Sequence, residues 1–302
     1  MEFSVSDGVK PTLSELVALR AIAQRRPPAR KGRHHVTGPA QSSARGRGME
    51  YAESREYVAG DDVRHIDWRL TARSGRTHTK LFQAERERLT LVVADTSPAL
   101  YFGTRVRFKS VQAARAAAVA VWAAVRDGDR VAILRGSRQE APVPPASGAR
   151  GALRVLDALV RWYSAPPGDD AGLSVALDHA SRLLRPGSRL IVLADASSIA
   201  AIPEARWPAL AAHHEVVVLL LTDALENRPP AEKLPFSLGA ERIELDLANL
   251  TQQQRWQEEF TQPVEHALAA LPRRGVRVYS LQGDAPSESW LPLLGRAQSQ
   301  VA

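Results

Sequence analysis

Two aspartates stand where cation chemistry could be done. Asp95 heads the run Asp95-Thr96-Ser97-Pro98-Ala99 directly after the apolar stretch 89–94, and Asp195 follows a second apolar stretch, 189–194. A carboxylate with a hydroxyl close by is the kind of oxygen set that a hard divalent cation takes, water completing its octahedron. Magnesium or manganese would suit Asp95, Ser97 and Asp195, held weakly because few oxygens converge. The plain alternative is that both aspartates cap helices and anchor loops at strand ends.

A denser cluster lies upstream: Arg55-Glu56-Tyr57-Val58-Ala59-Gly60-Asp61-Asp62-Val63-Arg64-His65-Ile66-Asp67-Trp68-Arg69, then Thr71-Ala72-Arg73. Arg64, Arg69 and Arg73 are expected to pair with Asp61, Asp62 and Asp67 over an apolar floor of Tyr57, Ile66 and Trp68. Such a desolvated network fixes geometry more reliably than it adds stability. Before it comes a basic stretch. Arg25, Arg26, Arg30, Lys31, Arg33, Arg45 and Arg47 accumulate between Leu16 and Met49 with no acidic residue among them, and could meet an acidic surface or nucleic acid.

The elements that must position these groups follow from hydrophobic period. Residues 11–24 read as one helix capped by Thr12, and the prolines and glycines of 25–48 as a loop. From Leu89 onward strands alternate with helices: strands at 89–94, 130–134, 189–194, 215–222 and 276–281, helices at 108–126, 149–162, 173–184, 204–212 and 252–271. The stretch 227–249 interrupts them as an insertion with one strand at 242–247, and a short helix closes the chain. This order predicts an α/β fold, a Rossmann-like, mostly parallel sheet with helices on both faces, plus an N-terminal accessory segment. Open sheets of this kind bind ligands at the carboxyl ends of their strands, where Asp95 and Asp195 lie. The expected divisions are 1–48 (basic helix and loop), 49–88 (the dense segment, packing on the sheet), 89–283 (the α/β domain) and 284–302 (helix and tail).

Asp95 and Ser97 resemble the first positions of the von Willebrand factor A motif Asp-x-Ser-x-Ser, and Asp195 matches its later aspartate. Ala99 stands in place of the second serine, and the expected threonine position reads Asp169-Asp170-Ala171-Gly172, so that hydroxyl is absent or replaced by Asp170 or Ser174. The resemblance therefore implies a degenerate metal-ion-dependent adhesion site. The upstream segment is similar to the signature Arg-x-Tyr-x-x-Gly-Asp-x-x-Arg-x-Ile-Asp-Trp-x-x-x-Ala-Arg of the bacterial domain of unknown function 58 family. Arg55, Tyr57, Gly60, Asp61, Arg64, Ile66, Asp67, Trp68, Ala72 and Arg73 match it. That resemblance implies a von Willebrand factor A-like domain in proteins commonly encoded beside MoxR-type AAA+ ATPases. The signature would act as a brace for the N-terminal segment or as a partner surface.

Composition narrows the classes. With no cysteine among 302 residues, a disulfide scaffold, a thiol nucleophile and a zinc–thiolate site are excluded. The longest aliphatic run, 216–221, is far too short to span a membrane, and residues 1–9 lack the pattern of a secretory leader; a cytoplasmic location is expected. Up to Arg88 there are 17 Lys and Arg against 11 Asp and Glu, so most of the net charge of +7 lies at the N-terminal end. Neither the His34-His35 pair nor His213-His214 has the spacing of a zinc site, and no phosphate loop or nucleophile elbow is present. The expectation is a non-enzymatic protein-binding adaptor for a MoxR-type AAA+ ATPase and a client protein. The alternatives are binding of nucleic acid or an acidic surface through the basic stretch, and metal-dependent hydrolysis, for which no base or oxyanion element is evident.

Overall fold

Long apolar runs without alternation are what a strand covered on both faces requires, and they become the middle of the main sheet. The computed structural model describes residues 8–25, 49–84, 88–238 and 241–294. The chain divides into two compact units, Met1–Gly32 with Arg88–Ala302, and Arg33–Glu87. Helices α1 (Leu13–Ala18) and α2 (Arg20–Arg25) open the first unit; β1 (Met49–Glu56), α3 (Trp68–Ser74) and β2 (His78–Ala84) belong to the second. The first unit resumes with β3 (Leu89–Ala94), α4 (Lys109–Arg126), β4 (Arg130–Arg135), β5 (Val143–Ala146) and α5 (Gly148–Tyr163). It continues through α6 (Gly172–Leu183), β6 (Arg189–Ala194), α7 (Ala196–Ala200), α8 (Arg206–Ala211), β7 (Glu215–Thr222) and α9 (Ala224–Asn227). Last come β8 (Lys233–Leu238), β9 (Glu241–Asp246), α10 (Leu250–Trp256), α11 (Gln262–Ala270) and β10 (Arg277–Gln282).

The main sheet has the order β10-β7-β6-β3-β4-β5. All its pairs are parallel except β4 with β5. Because side chains alternate along a strand, each central strand serves two cores. Val92, Ile133, Ile191 and Val217 meet α1, α2, α4 and α5 on one face. Leu91, Leu134, Leu190 and Val218 meet α6, α7, α8 and α11 on the other. Each fully buried aliphatic side chain contributes roughly 1.5–3 kcal/mol, so these two layers, rather than any polar contact, hold the unit together. Strand order reverses between β3 and β6, which places the crevice of an open α/β sheet at their carboxyl ends.

The short N-terminal helices belong to this core. Thr12 caps α1 by accepting from the Glu15 N–H at 3.3 Å, Leu16 is fully buried, and the Trp122 indole donates to the Leu16 carbonyl at 3.0 Å. The expected single helix is two, separated at Leu19. The insertion holds a hairpin, β8 with β9, where one strand was expected; Pro235 hid β8, since proline weakens a strand reading. Pro144 and Pro145 hid β5 in the same way, and both are tolerated because β5 is an edge strand. The expected helix at 252–271 forms with a π-helical stretch, Gln257–Thr261, between α10 and α11. Pro263 has no N–H to offer the Glu259 carbonyl, which accounts for the break in the regular ladder. Instead of a closing α-helix, the last described residues contain a 3-10 turn, Leu291–Leu293, and the tail beyond 294 lies outside the described residues.

Candidate functional site

At the crevice between β3 and β6 the first unit gathers its polar side chains. Asp95 is 2% exposed. Its Oδ1 accepts from the Ser97 N–H at 3.0 Å, and its Oδ2 accepts from the Ser97 hydroxyl at 3.2 Å and the Asp195 N–H at 3.1 Å. Burial pushes the Asp95 carboxyl above its ordinary range, against the pull of its hydrogen bonds. Asp195 caps α7: its Oδ1 accepts from the Ser197 N–H at 2.9 Å and the Ser197 hydroxyl at 2.7 Å. The Lys109 ammonium donates to Asp195 Oδ2 at 2.7 Å and to Glu226 Oε1 at 2.5 Å, with the lysine side chain 2% exposed. Glu226 in turn accepts from the Asp223 N–H at 2.9 Å, completing the capping box of α9. Burial favours the neutral form of Asp195, but the Lys109 charge and its hydrogen bonds outweigh it and hold that carboxyl low. Burial alone would lower Lys109; Asp195 and Glu226 hold it above its ordinary value. Nearby, the Thr96 hydroxyl donates to Asp170 Oδ1 at 2.9 Å. A carbonyl–glycine contact brings that loop in: the Ala171 N–H donates to the Gly136 carbonyl at 2.7 Å, and a Cβ on Gly136 would lie 2.1 Å from the Gly172 carbonyl oxygen.

The second unit is built on the antiparallel pair β1–β2, with Glu56 opposite His78. Its loops are held by aspartates. Asp61 accepts from Arg55 at 2.6 Å and from the Val58 N–H at 3.0 Å around Gly60, whose φ of 111° excludes a side chain without strain. Asp62 caps the 3-10 turn Val63–His65 and pairs with Arg64 at 3.2 Å. Asp67 caps α3 by accepting from the Leu70 N–H at 3.1 Å, and its other oxygen takes the Ser54 hydroxyl at 3.0 Å. Outward from this frame stand Val58, Val63 and Trp68, the indole residue 69% exposed. Arg69 and Arg73 are exposed on the same helix, and neither is in an ion pair among the described residues.

A family model described as "Protein of unknown function DUF58" matches residues 53–275, most of the chain and both units. The chain belongs to the DUF58 family. Uncharacterized proteins of Mycobacterium bovis and Mycobacterium tuberculosis are each 33% identical to it over 190 residues, 61% of this chain and 58% of theirs. The match thus spans less than two thirds of the length of these DUF58 relatives.

In this DUF58 chain Asp95, Ser97 and Asp195 do come together, but the residues present do not fit a divalent ion. Asp95 Oδ2 and Asp195 Oδ1 each already accept two hydrogen bonds, and the remaining Asp195 oxygen faces an ammonium. Ser174 is exposed, and Asp170 bonds Thr96 rather than joining the two aspartates. Lys109 and Glu226 were missed as members of the site. The signal for Lys109 was a lysine at the start of an Ala-rich helix; for Glu226 it was the Asp223-x-x-Glu226 capping pattern.

The expected buried ion network of the signature is corrected. Among the described residues the segment's ion pairs are Arg55–Asp61, Arg64–Asp62 and Arg76–Glu56, the Arg64 side chain is 82% exposed, and Trp68 is no floor. The physical reason is size. A short hairpin with one helix has too little apolar surface to bury arginines, so its aspartates satisfy loop and helix N–H groups instead. Of the basic stretch, Arg25 closes α2, whereas Arg26, Arg30, Lys31, Arg33, Arg45 and Arg47 lie outside the described residues. Among the described residues no helix is long and apolar enough to cross a membrane.

Proposed function

We propose that this DUF58 chain is a protein-binding adaptor on a von Willebrand factor A-like fold, working with a MoxR-type AAA+ ATPase and delivering a client protein to it. The observation that carries the reading is Trp68, an exposed indole in the family signature, sharing its segment with exposed Val58 and Val63 and with Arg69 and Arg73. Tryptophan and arginine dominate the energetics of protein interfaces, and a small framework with large apolar groups turned outward is a surface for a partner. The fold assignment is supported by a parallel sheet with one antiparallel edge strand and by the polar cluster where strand order reverses. The ATPase as partner is what the family resemblance implies. The burial of Asp95 favours the signature over the aspartates at the sheet edge as the binding surface. Co-purification from the native host tests the proposal: wild type recovers a MoxR-type ATPase and Trp68→Ala loses it. Recovery by both, or by neither, would count against it.

A further inference from the structure

We propose that the Lys109 ammonium holds the place of a divalent cation at the sheet edge, so that the chain supplies its own counter-charge and this site takes no metal. Three connections meet there: α4 begins at Lys109 after β3, Asp195 follows β6, and Glu226 lies in α9 after β7. A cation bridging carboxylates from separate loops is the work a bound metal does in tying such loops together. Nothing in α4 itself asks for a lysine at that position. A positive charge in the first turn opposes the helix dipole, that turn has no acidic residue, and the Phe108 N-cap makes no side-chain cap. Burying an ammonium is costly unless it is paired, and its partners are the two carboxylates from the other connections. The acceptor geometry agrees. Asp195 Oδ1 takes two donors from Ser197, Glu226 Oε2 takes the Asp223 N–H, and the oxygens left over converge on Nζ. A divalent ion reaching Asp195 would meet the ammonium at close range and be repelled.

The test is calorimetric titration of the full chain with manganese and magnesium chlorides. Wild type gives no saturable binding up to millimolar metal. Lys109→Met, which keeps the length and removes the charge, frees Asp195 and Glu226 and binds manganese at least about tenfold more tightly than wild type, with a melting temperature that climbs with metal concentration. Adding Asp195→Asn abolishes that gain. Saturable metal binding by wild type that disappears in Asp195→Asn overturns the proposal, and so does a folded Lys109→Met that binds no better than wild type. If Lys109→Met proves soluble only when prepared in manganese and precipitates on chelation, the proposal stands. If it is insoluble in both conditions, the wild-type titration decides alone, through the presence or absence of Asp195-dependent binding.

Discussion

Lys109 and Asp195 meet at 2.7 Å across 86 residues of chain, joining the first residue of α4 to the carboxyl end of β6. Glu226, on the same ammonium, adds the connection after β7. The edge where an open α/β sheet places its ligand is therefore occupied by an internal ion cluster.

Removing the ammonium leaves two carboxylates facing each other in a buried place. Lys109→Met is expected to cost roughly 3–5 kcal/mol in metal-free buffer, the range for breaking a buried pair by removing one partner. Urea denaturation followed by circular dichroism measures it, and a loss below about 1 kcal/mol would mean that the cluster contributes only as an exposed pair does.

A second cluster, at the amino ends of the strands, is expected to contribute to acid sensitivity. Glu215 accepts from Arg189 at 2.9 Å and from Arg277 at 2.7 Å, with Arg88 at 3.3 Å. Burial pushes its carboxyl up, but the three guanidinium groups outweigh burial and hold it below the ordinary value of 4.5. For a depressed carboxyl the stabilisation is present above the unfolded-state pKa and is lost as pH falls through the folded one. Glu215→Gln should therefore cost roughly 2–4 kcal/mol at neutral pH, and the gap to wild type should close as pH drops below about 4.5. Paired melts across the acid range check this; a gap that stays constant would contradict it.

Much of this was legible in the sequence. The four inner strands β3, β4, β6 and β7 announce themselves because a doubly covered strand is apolar nearly throughout, and the helices that cross over between them carry a clear helical period. Asp95 and Asp195 were readable as strand-end residues that belong together. What stayed hidden depends on contacts distant in sequence: which cation Asp195 faces is decided by Lys109 and Glu226, on elements that no local pattern links. The signature misled differently. Alternating Arg and Asp look the same whether the charges pair in a core or cap turns on a small hairpin, and only the amount of apolar surface around them separates the two.

Leu16→Ala tests whether α1 and α2 belong to the core. Leu16 is fully buried, and Trp122 bonds its carbonyl. The expected loss is about 2–5 kcal/mol, the range for emptying a buried leucine site, in a single cooperative unfolding transition. A separate early transition, or a loss near zero, would show the N-terminal helices to be an appendage.

Asp67→Ala should lower the melting temperature only modestly, as loss of a helix cap does, and should leave the protein soluble. Differential scanning fluorimetry suffices; collapse of the fold in this variant would restore a larger structural role for the aspartate.

The adaptor proposal is tested most directly by biolayer interferometry between the purified chain and a purified MoxR-type ATPase, the partner proposed above. Wild type should bind saturably, and Trp68→Ala, with an unchanged melting temperature, should bind at least about tenfold more weakly, as removal of an interface hot spot does. Failure of wild type to bind, or equal binding by a folded Trp68→Ala, would contradict the account.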